Sequence, residues 1–250
     1  MEAFWLETNR NARHSRNMEQ GTSDEIKRQR LKNLHLLRLI QGKRECHYVP
    51  DIHALQKGFR GWHERGYLPH FDAPGVTQFL TIMLDSFPVT RRREWEPLLK
   101  EANSSKRRAK LEAWLDRGHG RCWLRRPQIA ALVEEELRGE DGKSYRLQAW
   151  TIMPNHAHLV VEIWETPLSV LLNLWKGRSA RSANLSLKRA GAFWQKDYFD
   201  TRVRDTKHLA ACIRYTENNP TKACLVRTSA EWPWSSASKR DDFGRLSWQK

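Results

Sequence analysis

Two strand-forming runs joined by almost nothing set the strongest limit on this chain. Tyr145 to Met153 (YRLQAWTIM) and His156 to Trp164 (HAHLVVEIW) are rich in β-branched and aromatic residues, and only Pro154 and Asn155 separate them. A parallel crossover needs about a dozen or more connecting residues, so the two runs must pair antiparallel. Val76 to Leu84 (VTQFLTIML) reads as an earlier strand and Tyr198 to Val203 as a short later one. Thr90 to Lys110 is charged and helix-permissive. Pro127 opens a helix (RPQIAALVEEELRG) that Gly139 stops, and another starts at Pro167 and runs through Leu171, Leu174 and Trp175. A last helix, capped by Asp205 or Thr206, is expected to end near Asn219 because Pro220 follows. Interspersed helices and strands around a tight antiparallel pair predict an α+β domain with an antiparallel sheet.

The 250 residues suffice for one domain with an extension. Residues 1–57 read as a basic N-terminal extension, partly helical: a polar opening stretch, then a capping box at Thr22 to Glu25 and a partial stripe of Ile26, Leu34, Leu37 and Ile40. The main domain is placed at 58–240, with 241–250 as a tail. Twelve Trp and eight Phe are enough to build a core, which excludes wholesale disorder. No apolar run approaches the roughly 18 residues of a membrane span, and the opening residues lack a signal peptide's apolar stretch. Four cysteines (Cys46, Cys122, Cys212, Cys224) form no CxxC pair, which argues against a zinc finger or a disulfide scaffold and fits a reducing, cytoplasmic setting. A net charge of +15 draws polyanions, nucleic acid first.

Along the strand of MPNHAHLVVEIW, His156, His158, Val160 and Glu162 share one face, while Ala157, Leu159, Val161 and Ile163 point to a core. Two imidazoles two residues apart on one face can reach one metal ion; a pair of half-exposed histidines is the plainer alternative. Cupin sites also follow HxH with a glutamate but need flanking glycines, where this chain has Trp150 and Ser169. Amidohydrolase barrels need about 250 residues or more, mostly after the motif. HUH nucleases place the pair on a central strand and a nucleophilic tyrosine on a later helix.

The last helix meets that demand. Leu209, Cys212, Ile213 and Thr216 form a core stripe, and Tyr215 and Asn219, i and i+4, share its border, with His208 two turns earlier. Taken singly, Tyr215 also fits a packing role and Asn219 a helix cap.

These residues together resemble the REP-associated tyrosine transposases, a branch of the single-tyrosine HUH transposase family. The resemblance is carried by MPNHAHLV (Met153 to Val160) and RYTENNPTKACLV (Arg214 to Val226). WQKDYFDTRVRD (Trp194 to Asp205) and RGYLPHFDAPGVTQF (Arg65 to Phe79) add to it. It covers about residues 58–238 and leaves the first fifty uncovered. Cys224 stands where the family usually has glycine, and the charged block Thr90 to Arg126 does not align.

The resemblance implies a ferredoxin-like, RRM-like antiparallel sheet with helices packed on it (the HUH endonuclease fold). It implies metal-dependent cleavage of single-stranded DNA near hairpins through a 5′-phosphotyrosine, with Tyr215 as nucleophile and His156, His158 and Asn219 holding Mg²⁺ or Mn²⁺. Two imidazoles and an amide bring no charge, so the ion is expected to bind weakly until a DNA phosphate joins it. Glu162 could bear on the site only through another ligand. REP-like palindromic hairpins are the implied DNA partner, in a bacterial, nucleoid-associated setting, and family members include both monomers and homodimers. Lys176, Arg178, Arg181, Lys188, Arg189, Arg202, Arg204, His208 and Arg214 are the candidates for backbone contact, and Trp194 or Tyr198 for base stacking. The alternatives are a hairpin-binding derivative that no longer cuts and an HUH replication initiator or relaxase; the NPTKACLV context favours the transposase branch over the last.

Overall fold

The computed structural model describes residues 48–65, 68–85 and 104–246. The chain divides into two units, Met1–Tyr48 and Val49–Lys250. Nearly all of the first, with the expected capping box at Thr22 to Glu25, lies outside the described residues, as do 86–103 of the charged block. In chain order the elements are α1 (Ile52–Gln56), β1 (Gly61–Arg65), β2 (Leu68–Asp72), β3 (Val76–Met83), α2 (Ser104–Asp116), α3 (Pro127–Arg138), β4 (Tyr145–Ile152), β5 (His156–Ile163), α4 (Leu168–Ser186), β6 (Phe199–Arg202) and α5 (Thr206–Lys222). Among the described residues no helix is long and apolar enough to cross a membrane.

The tight junction acts as expected: β4 and β5 pair antiparallel with Ile152 opposite Ala157, and Met153 N donates to His156 O at 2.8 Å to close the turn. β3 lies on the other side of β5 and β6 beyond it, giving a four-stranded sheet in the order β4-β5-β3-β6, antiparallel at every pair. With helices between β3 and β4 and between β5 and β6, this is the βαββαβ arrangement of ferredoxin-like domains. β1 and β2 form a separate two-stranded ribbon.

β5 is buried on both faces, and its alternation sorts two environments. Ala157, Leu159, Val161 and Ile163 enter the large core with Leu80 and Ile82 of β3, Ile129 and Val133 of α3, and Leu171, Leu172 and Trp175 of α4. Each valine, leucine or isoleucine among them, removed from water, contributes roughly 1.5–3 kcal/mol. On the opposite face Val160 packs with Phe79, Ala149 and Cys212 of α5. The sheet is therefore covered by α3 and α4 on one side and by α5 on the other. The C-terminal segment seals the outer edge of β4: Ile152 N donates to Trp234 O (2.8 Å), Trp232 Nε1 to Ile152 O (3.0 Å), and Ser235 bridges Thr151. Such cover removes an exposed strand edge.

The β1–β2 ribbon is tied to the sheet by charge. His70 is fully buried, with Nδ1 2.5 Å from Asp200 Oδ1 of β6 and Nε2 3.3 Å from Asp197 Oδ1. The second contact is Coulombic, since Nε2 makes no well-directed hydrogen bond. Burial opposes a charged ring, but Asp197 and Asp200 outweigh it and push the pKa up to about 9. Asp200 Oδ2 also accepts from Phe71 N (3.0 Å). Asp72 Oδ1 accepts from Leu168 N (3.1 Å), supplying α4 with the N-terminal acceptor that Pro167 lacks.

α5 corrects the sequence reading. It does not stop at Asn219 but continues through Pro220 to Lys222. Proline in the last turn removes a single donor, and a Schellman motif offsets the loss: Leu225 N donates to Pro220 O (2.9 Å) and Cys224 N to Thr221 O (3.0 Å). This motif needs a left-handed residue at Cys224, whose φ is +55°. The place where the resemblance leads one to expect glycine is thus a place where the backbone wants it.

Two outcomes are expected. Cys224→Gly raises unfolding stability by about 1 kcal/mol, since a side chain at left-handed φ costs roughly 1–2 kcal/mol and glycine's added chain entropy returns part of it; urea unfolding measures it. Because the folded pKa of His70 lies above the free value of 6.5, the ion pair's contribution is complete below pH 6.5 and is lost as pH rises through about 9. The stability gap between wild type and His70→Gln, about 3 kcal/mol at pH 6, should therefore close by pH 10.

Candidate active site

The site starts at the end of the β4–β5 hairpin. In the β3–β5 pairing Met83 lies opposite His156 and Thr81 opposite His158. Both imidazoles are fully buried. Asn155, in the turn, donates from Nδ2 to Leu115 O (3.1 Å) and His119 O (3.0 Å), which aims its Oδ1 at His156 Nδ1, 2.7 Å away. An amide oxygen only accepts, so His156 carries its proton on Nδ1 and a lone pair on Nε2. Burial, and after it the charge of Lys222, hold the His156 pKa down to about 3, so the ring stays neutral.

His156 Nε2 lies 3.1 Å from His158 Nε2. One proton must sit between them in the free protein, and His158 supplies it, since His156 Nε2 has none. His158 Nδ1 then accepts from Thr81 Oγ1 at 2.9 Å. A hydroxyl accepts as readily as it donates. Rotating Thr81 lets His158 move its proton to Nδ1 and turn a second lone pair inward. Two ligands at about 2.1 Å and near a right angle stand about 3 Å apart, so this pair fits one divalent ion.

α5 brings its groups to the same face. Asp205 caps it by accepting from His208 N (2.7 Å), and Leu209, Cys212 and Ile213 pack beside Phe79 and Val160. Tyr215 stands at the border of that cluster, its ring edge-on to His158 (centroids 5.5 Å apart) and to Phe79 (5.8 Å). Its hydroxyl oxygen accepts from Asn219 Nδ2 at 3.2 Å. Asn219 is fully buried, yet its Oδ1 has no hydrogen-bond partner. An unpaired buried acceptor costs about 1–3 kcal/mol and calls for an explanation; a cation ligand position would satisfy it. No cluster of three or more His, Cys, Asp or Glu suited to a metal occurs among the described residues. The donor set here is two imidazoles and an amide.

Beyond Asn219, Lys222 Nζ lies 5.3 Å from the Tyr215 ring centroid and 3.2 Å from Asp116 Oδ2 at the end of α2. Burial pushes the Asp116 carboxyl up, with Lys222 opposing.

The structure brings His156, His158, Tyr215 and Asn219 together and scatters the basic candidates. Lys176, Arg178 and Arg181 sit on α4, on the opposite face of the sheet; Arg178 and Arg181 line a cavity there with Glu136 and Asn173, and Lys176 Nζ donates to Lys196 O (3.1 Å). Lys188 is exposed at the end of α4. Arg189 is bound to Asn184 and lies 4.0 Å from the Trp123 centroid. Arg202 lies over the Phe71 ring, and His208 Nδ1 accepts from Arg204 N (3.2 Å). Arg204 and Arg214 are exposed on the α5 side. Trp194 and Tyr198, expected to stack on bases, are buried instead: Trp194 donates to Ser179 Oγ and Tyr198 stacks on His70. Glu162 lies four residues along β5 from His158, about 13 Å at strand rise, and accepts from Gln148. Sequence reasoning does not single out Asn155, Thr81, Asp116 or Lys222. Asn155 and Lys222 lie inside the recognised motifs; the signal for Asp116 was absent, since it falls in the block that did not align.

Comparison with known proteins follows this geometry. The family described as "Transposase IS200 like" matches residues 133–219, which contain all four clustered residues. A curated protein of Haemophilus influenzae, named as a REP-associated tyrosine transposase, is 27% identical over 96 residues. That match covers 34% of this chain and 54% of the relative, so the chain spans about half of that relative's length. Among solved structures, one titled as a REP-associated tyrosine transposase bound to a REP hairpin is 16% identical, with TM-score 0.45, covering 67% of this chain and 79% of the other. A crystal structure of a transposase from Deinococcus radiodurans is 14% identical, with TM-score 0.32, covering 63% and 96%. The family match and the curated relative bear out the resemblance read from the sequence.

Imidazole ¹⁵N spectra should show His156 protonated on Nδ1 only, unchanged from pH 8 to pH 5. Asn155→Ala should abolish that preference, because it removes the Asn155 Oδ1 that accepts from Nδ1.

Proposed function

With residues 133–219 matched to the IS200-like transposases, we propose that the protein is a transposase that nicks and rejoins single-stranded DNA near hairpins, with Tyr215 as its nucleophile. One observation carries this reading. Tyr215 packs on a buried histidine pair and takes a hydrogen bond from an amide whose oxygen is buried and unpaired.

The residues divide the work. Asn219 Nδ2 donates to the Tyr215 oxygen, so the phenol proton points elsewhere and the phenolate formed on its loss keeps one donor. That oxygen attacks the phosphorus of the scissile linkage; the O–P bond forms as the bond from phosphorus to the 3′-oxygen breaks. The products are a 5′-phosphotyrosine and a 3′-hydroxyl, which gains one proton as the tyrosine loses one. The covalent bond keeps the phosphodiester energy, so a second 3′-hydroxyl can reverse the step without a nucleotide cofactor. Asn155 sets the His156 tautomer, and Thr81, by turning to accept from His158 Nδ1, permits the His158 tautomer that completes two inward lone pairs. Mg²⁺ or Mn²⁺ held by His156 Nε2, His158 Nε2 and Asn219 Oδ1 would polarise a phosphate oxygen and offset its developing charge. REP-like hairpins in the bacterial cytoplasm are the proposed substrate, and the charge of +15 supplies sequence-independent attraction to it.

Incubating the protein with Mn²⁺ and single-stranded hairpins from the DNA flanking its gene should give a covalent adduct on a denaturing gel. Tyr215→Phe should abolish it, and Asn219→Ala should slow it about 10²-fold. Mn²⁺ affinity by calorimetry should rise when the hairpin is present. An adduct surviving in Tyr215→Phe overturns the assignment of the nucleophile. Tight, metal-independent hairpin binding with no adduct makes the protein a hairpin binder that does not cut.

A further inference from the structure

The reaction requires a phosphate, with its negative charge, to enter beside Tyr215. Beyond the ion they would hold, the four residues gathered there include no lysine or arginine to meet that charge. The missing charge stands on the same helix. Lys222 follows Tyr215 by seven residues, so the two lie on one face of α5, about two turns apart. This holds only because α5 runs through Pro220. Its ammonium is 5.3 Å from the Tyr215 ring centroid, and its field reaches His156.

That ammonium is held by Asp116 Oδ2 at 3.2 Å, while the other oxygen of Asp116 is buried without a hydrogen-bond partner. The carboxylate is thus poorly solvated and served by one partner. Half of the Lys222 side chain is exposed (51%), against 13% for Asp116, so an incoming anion can approach the lysine from solvent. We propose that Lys222 binds a non-bridging oxygen of the scissile phosphate, and that Asp116 holds its place until DNA arrives. Lys222 is then a catalytic residue and Asp116 a positioning residue that competes with substrate. The assignment rests on the cleavage reading of Tyr215.

The two residues make opposite predictions, which a merely structural tie between α2 and α5 does not. Single-turnover adduct formation should fall about 10²-fold in Lys222→Ala, recover in large part in Lys222→Arg, and stay level or rise in Asp116→Asn. The decisive probe is the same hairpin oligonucleotide with a methylphosphonate at the scissile linkage, which replaces the charged oxygen by a methyl group. On it wild type and Lys222→Ala should react at similar rates. Within-protein ratios on the two substrates are insensitive to loss of folded protein. Equal falls in Asp116→Asn and Lys222→Ala, or an undiminished gap between wild type and Lys222→Ala on the methylphosphonate, would overturn the proposal and leave the role of Tyr215 standing. Absence of any Tyr215-dependent adduct from wild type on the normal strand overturns the cleavage reading, and the Lys222 role with it.

Discussion

Burial of β5 on both faces is the constraint from which the rest follows. One row of its side chains, Ala157, Leu159, Val161 and Ile163, anchors the sheet to α3 and α4. The other row begins with two histidines, passes through Val160 under α5 and ends with Glu162. A strand with a solvated second face would leave His156 and His158 wet, mobile and free to protonate. Because α5 and the end of α2 close over that face, both rings are dry, His156 is held neutral with its tautomer fixed by Asn155, and Thr81 gives His158 a partner in either tautomer. The apolar and polar rows cannot be exchanged, since slipping the register by one residue would put imidazoles into the aliphatic core.

The same closure explains how charge is distributed. Inside the site the four clustered residues include no lysine, arginine or carboxylate; at its mouth one lysine and one carboxylate neutralise each other. Such a site binds little by long-range attraction, which falls instead to the surface. There the cations stand on two sides of the sheet, with Arg204 and Arg214 beside α5 and Arg178 and Arg181 beyond α4. The first pair stands on the side of the sheet that carries Tyr215, and the second on the opposite side.

Much of this was legible in the residues. The two-residue junction Pro154-Asn155 forced the hairpin, period-two alternation sorted the faces of β5, and i, i+4 spacing put Tyr215 with Asn219. What failed was what depends on the third dimension. Pro220 read as a stop because the rule for proline is local, whereas the turn is held by bonds to residues beyond it. Trp194 and Tyr198 read as base-stacking platforms because composition does not say that Ser179 and His70 await them. Asp116 meets Lys222 across more than a hundred residues, and no spacing encodes that. Cys224 was visible as a departure from glycine, but its strain appeared only with the backbone angle.

The segment that seals β4 also holds the helix that carries Tyr215, because Glu217 receives Ser236 Oγ at 2.6 Å and Arg240 Nε at 2.7 Å. During synthesis on the ribosome both elements exist before that segment does. A nascent chain that has emerged only as far as Lys222 already contains every clustered residue, but it bears an open strand edge and a helix with Glu217 unclamped. Folding of this segment is therefore a checkpoint in time: the helix that carries Tyr215 gains these restraints only after the residues that follow Lys222 have been made.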